Sequence, residues 1–180
     1  HEVTLWSAIP AEIEEMAKTR THRNLPGVTL PEGLIYTADL EKAMADKDLL
    51  VMAVPSVFVR STAQKMKPFC KDGQLIVDVA KGIEENTLDT MTQIIKEELP
   101  MAETAVLSGP SHAEEVGRKL PTTCVIGATT RKTAEYLQSA FMSKVFRVYT
   151  SPDILGIELG GSLKNVIALA AGIADGLGYG

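Results

Sequence analysis

Residues 49–54 read Leu-Leu-Val-Met-Ala-Val, an uninterrupted apolar run stopped by Pro55. A run this short, closed by a turn signal, predicts a buried strand. The pattern returns at Gln74–Ala80 and Thr104–Leu107. Val3–Trp6, Leu34–Thr37, Thr122–Ile126 and Phe146–Tyr149 are further β-rich runs. Helical stretches lie between them: Ala11–Arg20, Leu40–Ala45, Val57–Met66, an amphipathic Leu88–Leu99, and Thr133–Met142. Thr21–Pro31 is a loop punctuated by Asn24, Pro26, Gly27 and Pro31. Strand–helix alternation at this spacing predicts an α/β fold: a mostly parallel sheet with helices on both faces.

The pattern changes near Pro152. From there to Gly176 the sequence is one helical segment rich in small residues. Residues 1–150 are therefore expected to form one α/β domain, and 151–180 the opening of a helical one. The 180 residues amount to about one domain plus a stub. A start on His1 and an end on Gly-Tyr-Gly lead us to expect a piece of something longer.

Composition narrows the function. With 45% hydrophobic and 23% charged residues the chain can bury a real core, which argues against global disorder. A net charge of −5 argues against a general nucleic-acid binder, which needs a basic footprint. Cys70 and Cys124 are too few for a disulfide scaffold and suit a reducing cytosol. The longest apolar stretch, Val166–Ala174, falls well short of the ~20 residues that cross a bilayer, so no membrane span is expected. No secretory signal is visible. His22 and His112 lack companions at metal-ligand spacing, and no metal is expected.

In an open parallel sheet, ligands bind beyond the carboxyl ends of the strands. Three predicted strands end in suggestive loops: Val54-Pro55-Ser56, Lys81-Gly82-Ile83-Glu84 and Ser108-Gly109-Pro110-Ser111. Lys81 would place a cation at that edge, and Gly82 would let backbone approach a ligand. Ser111 leads into the helical start His112-Ala-Glu-Glu-Val, whose free N–H groups suit an anion. Two bland readings stand beside these. Ser111-His-Ala-Glu114 is also a capping box, and Lys81 is also readable as a solvated lysine.

The segment Ile157–Asp175 places Lys164 and Asn165 amid almost unbroken apolar residues. At about 100° per residue, Lys164, Ala168, Ala171, Gly172 and Asp175 share one face. A desolvated lysine there could exchange a proton with a substrate hydroxyl or carbonyl. Alternatively it snorkels to the surface or pairs with Asp175. Gly160, Gly161 and Gly172 each cost a helix about 1 kcal/mol and so call for a packing or ligand reason.

Some signatures are missing. No G-x-G-x-x-G follows a strand, and the Walker, H-E-x-x-H, C-x-x-C and G-x-S-x-G motifs are absent. After Trp6 come Ser7 and Ala8, neither an acid for a ribose hydroxyl nor an arginine for a 2′-phosphate.

The chain resembles the bacterial NAD(P)-dependent glycerol-3-phosphate dehydrogenases. The resemblance lies in His1–Trp6, Asn24–Gly27, Val54–Ser56, Lys81–Glu84, Ser108–Val116, Phe146–Tyr149, Glu158–Leu169 and Asp175–Gly178, in family order over nearly the whole chain. It implies a Rossmann-like dinucleotide-binding domain over 1–150 that lacks the first strand and its glycine-rich turn. Over 151–180 it implies the first helix of an all-α substrate domain cut off after Gly180. The implied reaction interconverts dihydroxyacetone phosphate and sn-glycerol 3-phosphate with NAD or NADP, supplying phospholipid synthesis in the cytoplasm. By position, Lys164 matches the proton-transferring lysine, and Lys81 a lysine touching cofactor and substrate. Gly109 and Ser111 match substrate contacts, Ala113 a cofactor contact, and Asn165 a polarising neighbour of the substrate. Ala8 stands where a basic cofactor contact is common, so the NAD or NADP preference stays open. The implied partner is a small phosphorylated substrate, with a homodimer as a further expectation. The competing readings are a dehydrogenase of the 6-phosphogluconate type and a non-catalytic Rossmann-like remnant. The piece alone is expected to be inactive.

Overall fold

The computed structural model describes residues 1–179. Gly180, the last residue of the expected second segment, lies outside them. Among the described residues, seven strands and seven α-helices follow the predicted order. β1 (Val3–Trp6), α1 (Pro10–Thr19), β2 (Leu34–Thr37), α2 (Leu40–Met44) and β3 (Leu49–Met52) come first. A 3₁₀ turn at Ser56–Phe58 leads into α3 (Val59–Met66), then β4 (Leu75–Asp78) and α4 (Met91–Glu98). β5 (Glu103–Ser108), α5 (Ala113–Gly117), β6 (Thr122–Ala128), α6 (Arg131–Phe141), β7 (Phe146–Ser151) and α7 (Ile154–Gly176) complete the chain.

The strands form two sheets rather than one. β1 and β2 pair parallel; β3-β4-β5-β6-β7 form the larger sheet. Within it β5 and β6 are antiparallel and every other neighbouring pair is parallel. The architecture is Rossmann-like, mostly parallel, with helices on both faces. β3 corrects its sequence reading. Only Met52 is buried and Val51 is 48% exposed, because among the described residues β4 is its one strand partner.

Alternation along β4 sends neighbouring residues to opposite cores. Ile76 joins Met52, Val59 and Ile95 under α3 and α4. Val77 joins Leu107, Ile126 and Leu137 under α6. α4 starts three residues later than Leu88, which has φ 63° and cannot continue a right-handed helix. The start at Thr90 is sealed by Gln93, whose Oε1 accepts the Thr90 N–H at 2.8 Å.

α7 is one 23-residue helix, continuous through Gly160 and Gly161. Its first turns pack on β5 and β6, and beyond Ser162 almost every residue is exposed. By length and composition it matches a bilayer-crossing helix, which the shorter unbroken apolar run did not reveal. Lys164 and Asp175 lie on either side of the unbroken run Val166–Ala174, and Glu158 is buried against α4.

Asp78 closes β4 fully buried, with no hydrogen-bond partner for either carboxylate oxygen. Burial pushes its carboxyl up to about 8; the backbone of Ala80 offsets part of this, and the charge on Glu158 adds to it. The native chain therefore holds a proton that the unfolded chain releases near pH 4. This group's contribution to stability is greatest below the ordinary carboxylate range and is lost as pH rises toward 8. Replacing it by an amide removes the titration. Asp78→Asn should gain on the wild type by about 2 kcal/mol or more between roughly pH 5 and pH 8. Thermal melts across that range measure the gain, and parallel pH profiles would refute it.

Candidate functional site

β3, β4 and β5 run parallel, so their carboxyl ends open on one edge and bring three loops together. The contacts between those loops are close. A Cβ on Gly82 would lie 2.6 Å from the Cβ of Ser56, so the β4 loop rests on the β3 loop only because residue 82 is glycine. A Cβ on Gly109 would lie 2.6 Å from the Thr123 carbonyl oxygen and 2.9 Å from the Cα of Cys124. Both are backbone atoms of β6, so the β5 loop packs against that strand without room for a side chain.

The polar groups of this edge converge. Lys81 is half-buried, and its Nζ donates to the Ser111 Oγ at 3.3 Å. Ser111 closes a tight turn, its N–H on the Gly109 carbonyl at 2.8 Å. Its Oγ also donates to that carbonyl at 3.3 Å. This overturns the capping-box reading of Ser111–Glu114: the residue before α5 is His112 and carries no side-chain cap. α5 has only five residues, so Lys81 and Ser111, rather than a long helix dipole, define the polar character here. Ala113 is exposed at the first position of α5, two residues past Ser111. Beneath the turn, burial pushes the Cys124 thiol up, partly offset by Ser111 and by the charge of Lys81.

α7 closes one side. A Cβ on Gly161 would meet the Ser108 Oγ at 2.6 Å and the Cγ of Lys81 at 3.6 Å. That is the packing reason for this glycine; Gly160 and Gly172 face open space, and nothing in the structure explains them. Ser162 Oγ donates to the Gly82 carbonyl at 3.1 Å and to the Glu158 carbonyl at 2.8 Å. Lys164 lies three residues past Gly161 and is exposed, not set among buried apolar neighbours. Its Nζ donates to the Asn165 Oδ1 at 2.7 Å; Asp175, three turns on, is not its partner.

Two supports were not legible as site features. Arg60 on α3 forks onto Glu84 with bonds of 2.7 and 2.6 Å, and its other arm reaches Glu97 and Glu98 at 2.8 and 2.7 Å. The fork ties the Lys81–Glu84 loop to α3 and α4. The bonds to Arg60 hold the Glu84 carboxyl down to about 2, and the guanidinium itself well above its ordinary range. Glu158 on α7 is only 6% exposed and accepts from Thr90 Oγ1, the Thr92 N–H and Thr92 Oγ1 at 2.7, 2.8 and 2.6 Å. An acid flanked by the apolar Ile157 and Leu159 was the available signal; which residues it meets was not.

Comparison with known proteins places these features in a family. The model described as NAD-dependent glycerol-3-phosphate dehydrogenase N-terminus matches residues 1–134, and the corresponding C-terminus model matches 153–180. The NAD(P)+ glycerol-3-phosphate dehydrogenase of Agathobacter rectalis is 62% identical over 181 residues, covering 100% of this chain and 54% of that protein. That of Fusobacterium nucleatum is 55% identical, covering 100% of this chain and 55% of its own length. The crystal structure of glycerol-3-phosphate dehydrogenase from Coxiella burnetii superposes with a TM-score of 0.89 at 32% identity, over 99% of this chain and 55% of that one. The chain spans about half the length of the curated relatives it matches.

The packing beneath Gly109 has a measurable consequence. Gly109→Ala should destabilise the chain by about 1–3 kcal/mol, because neither opposing backbone atom can move aside. The shift in denaturation midpoint reports it, and a change under about 0.5 kcal/mol would show that the loop is free to yield.

Proposed function

Because the chain belongs to the NAD-dependent glycerol-3-phosphate dehydrogenase family, we propose that it carries part of an enzyme interconverting dihydroxyacetone phosphate and sn-glycerol 3-phosphate. The electron carrier is NAD or NADP, and the product direction supplies phospholipid synthesis in the cytoplasm. The observation that carries the reading is the meeting of Lys81 and Ser111 at the strand edge, with α7 packed against them at Gly161. A cation, a hydroxyl and two side-chain-free approaches suit a phosphorylated substrate beside a dinucleotide. Relatives of 62% and 55% identity favour this reading over a 6-phosphogluconate-type enzyme or a non-catalytic remnant.

Residues 1–150 form the dinucleotide-binding unit in this proposal, and 151–180 begin the helical substrate unit. α7 is then the first helix of that unit and not a membrane span; its exposed Val166, Ile167 and Leu169 await the packing of further helices. Lys81 and Ala113 hold the cofactor. Lys81, Gly109, Ser111, Lys164 and Asn165 line the substrate. When bound, the nicotinamide cofactor supplies or accepts the hydride. Lys164 gives a proton to the ketone oxygen as the carbon is reduced, and takes it back from the alcohol in the reverse direction. Asn165 holds the Lys164 ammonium, which keeps the proton aimed at a fixed point. Lys81 offsets negative charge on the substrate phosphate or cofactor, and Ser111 orients Lys81. The assembly is proposed to be a homodimer, with no nucleic-acid or membrane partner.

The full-length gene product should oxidise NADH or NADPH on addition of dihydroxyacetone phosphate. Lys164→Ala should lower kcat by about 10²–10⁴-fold while cofactor affinity stays within about threefold. Turnover is followed by nicotinamide absorbance and binding by fluorescence. An active Lys164→Ala enzyme would overturn the assignment of the lysine, and an inactive wild type that of the substrate.

A further inference from the structure

We propose that Glu158 is a positioning residue: its buried carboxylate, gripped by Thr90 and Thr92 at the start of α4, sets the depth and rotation of α7 and thereby the place of Lys164. The proposal rests on Lys164 being the proton-transferring group.

The geometry is specific. Thr92 N–H binds one carboxylate oxygen, while the hydroxyls of Thr90 and Thr92 bind the other. A group held through both oxygens fixes direction as well as distance, which an apolar contact cannot do. The α4 N-terminus also offers an unpaired N–H and a favourable dipole, so an anion suits this point. The bonded residues lie 66 to 68 positions apart in the chain, so the contact is a tertiary clamp and not a local cap.

The clamp is followed by the last fixed point before Lys164. One turn beyond Glu158, Gly161 lies against Ser108 and Lys81, and Ser162 binds the Gly82 carbonyl. After Ser162 the helix is exposed, so Lys164 stands just past its last anchor. Glu158 and Lys164 are six residues apart, a rise of about 9 Å. A turn or slide of the helix at the clamp therefore moves Lys164 directly, and a displacement of about 1 Å at a reacting group costs on the order of 10²-fold in rate.

Substitutions separate position from charge. In Glu158→Gln, Oε1 still accepts the Thr92 N–H, and the amide donates to threonine hydroxyls, which rotate to accept. Glu158→Ala removes every bond. The full-length gene product of each variant is assayed with dihydroxyacetone phosphate and NADH. Glu158→Ala should lose about 10²-fold in kcat per folded enzyme, with KM for NADH within about threefold. Glu158→Gln should restore kcat to within about threefold of wild type. If the alanine variant fails to fold, Thr90→Val with Thr92→Val removes both hydroxyl donors and keeps the Thr92 N–H; it should lose about tenfold in kcat. Wild-type kcat in Glu158→Ala or, where that variant does not fold, in the double threonine variant, or a glutamine variant as slow as alanine, would overturn the proposal.

A second measurement needs no turnover. Spin labels at Val57→Cys and Leu155→Cys, both exposed and neither among the residues that await further helices, report the placement of α7 in a Cys70→Ser background. Wild type and Glu158→Gln should give one narrow distance distribution, and Glu158→Ala or the double threonine variant one at least about twice as broad. Equal widths in all variants would overturn the clamp. An inactive wild type with the expected widths would instead count against the proposed reaction, leaving the clamp supported.

Discussion

β3, β4 and β5 lie side by side and point the same way, and the site exists because of that alignment. Parallel strands cannot be joined by a hairpin, so crossovers link β3 to β4 and β4 to β5, and the three carboxyl ends open on the same edge. Lys81 and Ser111, 30 residues apart in the chain, meet there. The alignment also brings backbone close to backbone. Gly82 against Ser56 and Gly109 against β6 are contacts that a methyl group would break.

Burying acids beside this edge is costly, and the structure handles three of them differently. Glu158 keeps its place through hydrogen bonds from two threonines and an amide at a helix start, the setting in which a buried carboxylate is tolerated. Asp78, close enough to feel that charge, has no side-chain partner, and burial pushes its carboxyl up to about 8. Glu84 lies nearer the surface and is tied to Arg60, which draws α3, α4 and the Lys81 loop into one unit.

Much of the fold was legible in short runs. Leu49–Met52, Leu75–Asp78 and Glu103–Ser108 are apolar enough to read as strands wherever they pack. The misreadings share one cause, a distant group that displaced a local preference. Ser111 has the spacing of a cap, yet its hydroxyl is taken by Gly109 and Lys81. Thr90 and Gln93 have the same kind of spacing and do mark a helix start. β3 was read as enclosed because its residues are apolar, but exposure depends on how many strands flank it. Lys164 was found by its oddity in an apolar helix, while its exposure follows from where α7 leaves the sheet.

The sequence by itself determined the order of strands and helices, the loops that carry Lys81, Gly109 and Ser111, and the lysine–asparagine pair on the last helix. These are properties of neighbouring residues, written in periods of two and of about 3.6. Only the tertiary structure decided that β6 turns antiparallel to β5, that Arg60 grips Glu84, and that Glu158 locks α7 onto α4. Those outcomes depend on contacts between residues tens of positions apart. No local pattern states which buried acid will find which donor; that is settled when the helices pack and each buried polar group must be satisfied or neutralised.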